Sequence, residues 1–216
     1  MQFTPIQRRV LGVLIEKSMT TPAGYPMTLN SLVTGCNQLT CREPVMRLSE
    51  GEVSKAIHEL QQMMLVKQAD PDRTARANRF QHQLEQRFGW GKRERALIGE
   101  LLLRGPQTAG ELKTNGSRMT PFDDLQSVMN LLAELGKGDS PYVRELPRQP
   151  GQGTIRYDHL FYSADEPREL PSVPMSQPST PSVDLSSSVL QRIERLEADV
   201  AVLRQQVDDL LNRPNH

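Results

Sequence analysis

The chain has 216 residues, with 26 Lys and Arg against 26 Asp and Glu, so its formal net charge is zero. This balance excludes a global field that attracts nucleic acid, and any such attraction must be local. Two cysteines, Cys36 and Cys41, are too few for a secreted disulfide scaffold. Because the sequence contains no apolar leader and no run of about 18 apolar residues, we expect a cytoplasmic protein without a membrane span.

Charge is unevenly distributed along the chain. Residues 1–88 hold 11 basic and 8 acidic side chains, residues 89–163 hold 10 and 9, and residues 164–216 hold 5 and 9. This length fits one large domain or two small ones, and two is our prediction. Any surface that attracts phosphate is therefore expected in the first of them.

Two helices are predicted near the start of the chain. Thr4 caps the first, Pro5 takes its first position, and we expect it to end at about Ser18. Its apolar face is formed by Ile6, Val10, Leu11, Leu14 and Ile15. After a loop rich in Pro and Gly, Thr28 caps a second, short helix that ends near Gly35.

Residues 36–47 form a predicted loop, because Pro44 and mixed polarity exclude a long helix. Four of its side chains can contact base edges, phosphate or a partner's carboxylate: Asn37, Gln38, Arg42 and Arg47. We therefore expect a candidate functional surface here. The alternative is structural, with Arg42 paired to Glu43 or Glu50 and the apolar residues packed on the core.

The third helix and the hairpin after it are the centre of the prediction. Ser49 and Glu52 form a capping box, so the helix should begin at about Glu50. One face is apolar, and the other presents three candidate DNA contacts, Lys55, His58 and Gln62. Residues 65–68 and 79–84 predict two strands around a loop, where three further candidates lie in or beside the turn, Arg73, Arg76 and Arg79.

A helix followed by an Arg-bearing hairpin is typical of the end of a winged-helix domain, and it predicts binding of double-stranded DNA. Glu52 and Glu59 lie near the same surface and disfavour phosphate. An ordinary solvated helix and hairpin therefore stays open as the alternative.

The same order of elements repeats in residues 89–163. Thr108 to Leu112 match Thr28 to Leu32, and a second hairpin is predicted from strands at residues 142–146 and 154–162. The third helix of each half is matched at an offset of 72 residues. In the first half the matched residues are Glu52, Val53, Ala56, Ile57 and Leu60, and in the second they are Asp124, Leu125, Val128, Met129 and Leu132. The polar face of this helix consists of Asp123, Asp124, Gln126, Asn130 and Glu134. Its acidic residues are unsuited to phosphate, so we expect the second domain to be a spacer or a protein-binding module.

The predicted fold is mainly α with small β-hairpins (α+β), arranged as tandem winged-helix domains at residues 1–88 and 89–163. Pro, Ser and acidic residues predict a disordered linker at 164–188. Residues 189–212 predict a coiled-coil helix whose seam is Val189, Ile193, Leu196, Val200, Leu203, Val207 and Leu210. β-Branched residues alternating with Leu favour a parallel homodimer, while docking of this helix on its own domains stays open.

Two segments, GYPMTLNSLVTGCNQLTCREPVMRLSEGEV and RANRFQHQL, closely resemble the YceH-like family of uncharacterised bacterial proteins. The likeness covers about residues 3–162. It implies a tandem winged-helix fold, which agrees with the internal repeat. It implies no activity.

Metal, cofactor and catalytic sites are not expected. Cys36 and Cys41 have no second Cys pair, and no His has a partner at the spacing that zinc requires. The motifs of a nucleophile elbow or a phosphate-binding loop are missing from the sequence, so we predict no enzyme. The favoured function is a dimeric DNA-binding regulator, and the alternative is a protein-interaction adaptor that does not bind DNA.

Overall fold

The computed structural model describes residues 1–70, 77–148, 153–163 and 166, which belong to one compact unit. Three sequence predictions lie outside these residues: the hairpin-loop residues Arg73 and Arg76, the predicted linker apart from Glu166, and the whole predicted coiled-coil seam. Among the described residues, helices and small antiparallel sheets confirm the α+β class.

The described part of the first half, residues 1–88, contains four α-helices and three short strands. In chain order these are α1 (Pro5–Thr20), β1 (Met27–Thr28), α2 (Leu29–Cys36), α3 (Glu50–Gln62), β2 (Val66–Gln68), β3 (Arg79–His82) and α4 (Leu84–Phe88). The predicted caps are present, since the side chains of Thr4, Thr28 and Ser49 accept backbone N–H bonds at the starts of α1, α2 and α3. These caps satisfy amides that a helix start leaves unpaired.

The second half, residues 89–163, repeats this order, and its described residues form no counterpart of α4. Its elements are α5 (Lys92–Arg104), β4 (Gln107–Thr108), α6 (Ala109–Gly116), α7 (Leu125–Leu135), β5 (Val143–Leu146) and β6 (Arg156–His159). Both halves build a three-stranded antiparallel sheet in the same order, β1-β3-β2 and β4-β6-β5. Met27 lies opposite Phe80 in the first sheet as Gln107 lies opposite Tyr157 in the second.

The structure corrects the match between α3 and α7. Both begin with a capping box, at Ser49 in α3 and at Asp124 in α7. The buried residues then correspond as Val53, Ile57 and Leu60 in α3 to Val128, Leu132 and Leu135 in α7. The sequence-based match was out by three residues, almost one helical turn, because apolar spacings of three and four look alike after such a shift.

As a result, two residues that the sequence match placed in the core lie on the surface. Leu125 is 45% exposed and Met129 is 40% exposed, whereas their supposed equivalents Val53 and Ile57 are buried. The outer faces of α3 and α7 therefore differ in chemistry, polar on α3 and partly apolar on α7.

The two halves pack through α1 and α5, which run in opposite directions where they touch. A Cβ placed on Gly12 would lie 2.8 Å from Cγ of Leu103, and one on Gly99 would lie 2.9 Å from Cγ2 of Ile15. Both glycines thus allow the helices to approach more closely than any other residue would. The chain start is also attached to the second half, since the Phe3 amide donates to the Phe161 carbonyl at 2.9 Å.

Candidate nucleic-acid interface

The outer face of α3 brings together the three helix residues that the sequence singled out. Lys55, His58 and Gln62 are all exposed, while the opposite face of the helix is buried in the core. Gln62 Nε2 lies 3.1 Å from His58 Nε2, so these two side chains form one polar surface. Lys55 Nζ is 4.0 Å from Glu59, a weak contact for an exposed pair.

Two of the three acidic side chains of α3, Glu52 and Glu59, accept hydrogen bonds from neighbouring groups, while Glu50 at the start of the helix is exposed. Glu52 accepts hydrogen bonds from the side chain and, with a smaller effect, the backbone of Ser49, and these bonds lower the pKa of its carboxyl group. Glu59 accepts a 2.7 Å bond from Gln7 Nε2 on α1. His58 and Gln62 lie about two and three turns beyond the acidic first turn, and the one carboxylate between them, Glu59, is half-buried and bonded to Gln7.

The β2–β3 hairpin adds two exposed cations, Lys67 and Arg79. Arg79 Nη1 donates to the Pro26 carbonyl at 2.9 Å, and in the second half Arg156 Nη2 donates to the Pro106 carbonyl at 2.5 Å. This bond is therefore part of the architecture of both halves. Lys67 was missed by the sequence analysis, although strand alternation after the buried Val66 was a usable signal.

The loop of residues 36–47 is built mainly from contacts within the protein. Asn37 Nδ2 donates to the Leu48 carbonyl at 2.8 Å, and the Leu48 amide donates to Asn37 Oδ1 at 2.7 Å. Gln38 Oε1 accepts from Arg42 at 2.7 Å and from Lys17 at 3.4 Å. Arg47 is exposed, so of the four predicted loop residues it is the most available to a partner.

Arg42 corrects the expectation of an accessible loop surface. Its side chain is fully buried, and its partner is neither Glu43 nor Glu50 but Glu16 on α1, at 2.5 Å. Arg42 Nε also donates to the Gly35 carbonyl at 3.0 Å. The next residue of the loop contacts the second half, because the Glu43 amide donates to the Leu103 carbonyl at 2.8 Å. Burying the charge of Arg42 requires these partners, so its side chain is not available to a ligand. The loop therefore braces the two halves against each other.

The Glu16–Arg42 pair belongs to a buried ionic network that joins the halves. Glu16 also pairs with Arg118, which contacts Glu100 on α5 at 2.7 Å, and Glu100 pairs with Arg104 at 3.1 Å. Burial alone would raise the pKa of Glu16, but the hydrogen bond and charge of Arg42, with the charges of Arg118 and Lys17, lower it below its usual value. The network therefore stabilises the ionised carboxylate.

Other titratable side chains are occupied in packing. Burial, with a smaller effect of the Arg95 charge, lowers the pKa of His82 to about 4, and His82 Nε2 lies 3.2 Å from Ser18 Oγ. Burial raises the pKa of the Cys36 thiol to about 12. Within the ranges that the structure describes, no three His, Cys, Asp or Glu side chains are grouped to hold a metal ion.

Comparison with known proteins places this chain among its relatives. The profile of a family described as "Protein of unknown function, DUF480" matches residues 3–152. The chain belongs to the DUF480 family. It is 40% identical to a UPF0502 protein of Paraburkholderia phymatum over an alignment that covers 97% of this chain and 93% of the relative. It is also 43% identical to a UPF0502 protein of Geobacter sulfurreducens over 198 residues, which cover 92% and 88%.

These comparisons confirm the uncharacterised bacterial family that the segments around residues 24–53 and 76–84 indicated. They cover both halves of this DUF480 protein. Among its described helices, none combines the length and apolar character needed to cross a bilayer.

Proposed function

We propose that both halves of this DUF480 protein are winged-helix domains and that the first binds double-stranded DNA, a binding role rather than a catalytic one. The observation that carries the proposal is the outer face of α3. It presents Lys55, His58 and Gln62 beside a hairpin with Lys67 and Arg79, and all five side chains are polar and exposed. Lys and Arg bind phosphate, whereas His and Gln hydrogen-bond to base edges.

The corrected match between α3 and α7 explains why the two halves would differ. Lys55 corresponds to Asn130, His58 to Ala133 and Gln62 to Lys137, so the second half has one cation, just beyond the end of α7, but neither a cation at the position of Lys55 nor a polar group at that of His58. Leu125 and Met129 add exposed apolar surface on the same side. We therefore assign DNA to α3 and not to α7.

The proposed assembly is a homodimer held by the heptads of residues 189–212. Two copies of α3 would then reach two half-sites, and the segment of residues 164–188 would leave their spacing adjustable. Dimeric binding doubles the number of phosphate contacts, which compensates for the modest charge of one domain.

Fluorescent genomic DNA fragments titrated with the full chain at several salt concentrations test the proposal. Lys55→Ala is compared with Lys137→Ala, which removes the same charge from the corresponding region of the second half. Both lysines face a glutamate in the native protein, Glu59 at 4.0 Å and Glu134 at 2.6 Å. Each variant removes one lysine, so the two variants have the same net charge, and each loses one contact between a lysine and a glutamate.

We expect Lys55→Ala to weaken binding and to lower the salt slope by about one per copy, hence by about two for the proposed dimer, because each copy loses one lysine that neutralises a phosphate. Lys137→Ala should leave affinity and slope unchanged. Equal effects of both variants, or binding that disappears between about 50 and 200 mM salt with no sequence preference, would overturn the assignment to α3.

A protein-interaction adaptor is the second candidate function, and the exposed apolar residues of α7 favour it. Leu125 and Met129 lie one turn apart on the same side of α7, and two neighbouring exposed apolar side chains offer a surface that a protein partner could cover. Absence of DNA binding by the wild type, together with protection of α7 in the native assembly, would make this the better function.

A further inference from the structure

The strand β5 forms an open edge of the second sheet. It pairs with β6 on one side, and no strand among the described residues lies on its other side. The Leu160 amide donates to the Tyr142 carbonyl at 2.9 Å, so every second residue from Tyr142 onward directs its backbone groups to β6. Val143 and Glu145 therefore direct theirs to the open edge, where a further strand can pair.

Glu145 is the accessible position of this edge. A Cβ placed on Gly136 would lie 3.3 Å from the Val143 carbonyl oxygen, so the end of α7 already approaches the edge at Val143. The Glu145 carboxylate accepts a hydrogen bond from Tyr157 Oη at 3.3 Å and pairs with no cation among the described residues. A strand added here therefore suits a basic residue opposite Glu145.

A groove of about 370 Å³ lies beside this edge, between α7 and the second sheet. Its apolar walls include Leu132, Ala133 and Val143, and Glu145 lines it too. Val143 and Glu145 share one face of β5, because side chains alternate along a strand. Two residues after the basic position, an added antiparallel strand therefore suits an apolar residue that enters the groove.

The residue between these two lies opposite Arg144, on the other face of the sheet. Arg144 Nη2 is 3.6 Å from Asp158 Oδ2, which is a long contact, and the Arg144 side chain is 28% exposed. Its Nε has no hydrogen-bond partner among the described residues. Asp158 is shared with Tyr162, whose Oη donates to Oδ1 at 2.9 Å. Arg144 can thus accept a second carboxylate, and the edge fits the order basic, acidic, apolar.

Outside β5, the order Arg, Glu, Leu occurs in this chain only at residues 168–170. We infer that this segment of a second copy adds to β5 as an antiparallel strand. Arg168 then lies opposite Glu145, Glu169 lies opposite Arg144, and Leu170 enters the groove. The exchange is reciprocal, so two copies form a closed pair.

The residues that flank the segment fit this register. Pro167 would direct its backbone nitrogen away from β5, so its missing N–H costs no hydrogen bond there. Pro171 ends the added strand after Leu170. The strand β5 of a second copy does not fit in the same place, because the backbone of its own Arg144 is directed to β6.

The segment is too far from β5 of its own chain. The Glu166 amide donates to the Ser163 carbonyl at 3.2 Å, and a buried arginine of α1 binds the Glu166 carboxylate at 2.7 Å. Glu145 instead lies opposite Tyr157, roughly 15–20 Å from Ser163 along the chain. Arg168 follows Glu166 by two residues, which span only about 7 Å. The occupant is therefore a second copy, and the contact does not depend on DNA binding.

Disulfide formation in the full chain tests the contact, with Cys41→Ser as background and the buried Cys36 retained. Glu145→Cys/Arg168→Cys places thiols at facing positions whose Cα atoms lie about 5.5 Å apart, within the range of a disulfide. The matched control is Glu145→Cys/Glu169→Cys, whose second thiol points to the other side of the added strand. We expect a covalent dimer on a non-reducing gel, formed at least about ten times faster than in the control.

A second facing pair tests the register. Arg144→Cys/Glu169→Cys should also give the dimer faster than the control, and circular dichroism checks that each variant is folded. Equal rates in all three variants, or no disulfide in any of them, would overturn the proposal. So would a disulfide within a single chain, which runs as a monomer on the gel and would assign residues 168–170 to their own β5.

Discussion

Glu16 lies at the centre of the ionic network that connects the two halves, because it pairs with an arginine from each of them. Glu16→Gln removes the negative charge that faces Arg42 at 2.5 Å and Arg118 from the second half. The Glu16 side chain is 1% exposed and that of Arg42 is 0% exposed, so solvent cannot replace the missing partner. Removing one partner of a buried pair costs roughly 3–5 kcal/mol, and we expect a loss of that size in the free energy of unfolding.

Urea denaturation followed by circular dichroism measures this loss. Glu134→Gln is the matched control, because Glu134 pairs with Lys137 at 2.6 Å on the surface and such pairs contribute under about 1 kcal/mol. The double variant Glu16→Gln/Arg42→Met should lose less than the sum of the single variants, since it leaves no unpaired charge at Arg42. A loss below about 1 kcal/mol for Glu16→Gln would refute the role of the network.

The same residue predicts how stability depends on pH. The pKa of Glu16 is lower in the folded protein than the value of about 4.3 expected when unfolded. Its contribution is therefore complete above that value and is lost as the pH falls through the folded pKa. The difference in stability between wild type and Glu16→Gln should shrink as acid is added, and a difference independent of pH would contradict the ionised state of Glu16.

Three further predictions concern packing, the loop and the thiols. In the same urea titration, Gly99→Ala should lower the free energy of unfolding by about 1–3 kcal/mol, because the added methyl group would overlap Ile15. Gly51→Ala adds a methyl group in open space on α3 and should raise the free energy of unfolding by up to about 1 kcal/mol, because Ala favours a helix more than Gly does. Asn37→Ala breaks two loop hydrogen bonds and should cost about 1–3 kcal/mol by the same assay; no loss would contradict the bracing role. Ellman's reagent should react with Cys41 in the native protein and with Cys36 only after unfolding, and two native thiols would contradict the burial of Cys36.

Local signals predicted most of the helices. The caps at Thr4, Thr28 and Ser49 act within three residues of each helix start, so they can be recognised without knowing the fold. The helix α4 was missed because it has only 5 residues and no side-chain cap. β1 and β4 were missed because two residues are too few to reveal alternation.

Contacts between distant residues could not be predicted in this way. Arg42 and Glu16 are far apart in sequence, and the loop residues next to Arg42 offered Glu43 as an equally acidic partner. Glu16 is the partner of Arg42 only because α1, α2 and the loop pack together, and this packing buries Arg42 instead of leaving it on an accessible surface. The face of α3 was predictable because helical spacing alone separates Lys55, His58 and Gln62 from the core.

The most direct test of DNA binding by α3 is a backbone amide NMR titration of the full chain with double-stranded genomic fragments that bind it. The proposed function predicts shift changes concentrated at Lys55, His58 and Gln62 and in the strands β2 and β3, with α7 unaffected. Changes confined to α7, or no changes at a DNA concentration that saturates the protein, would contradict it.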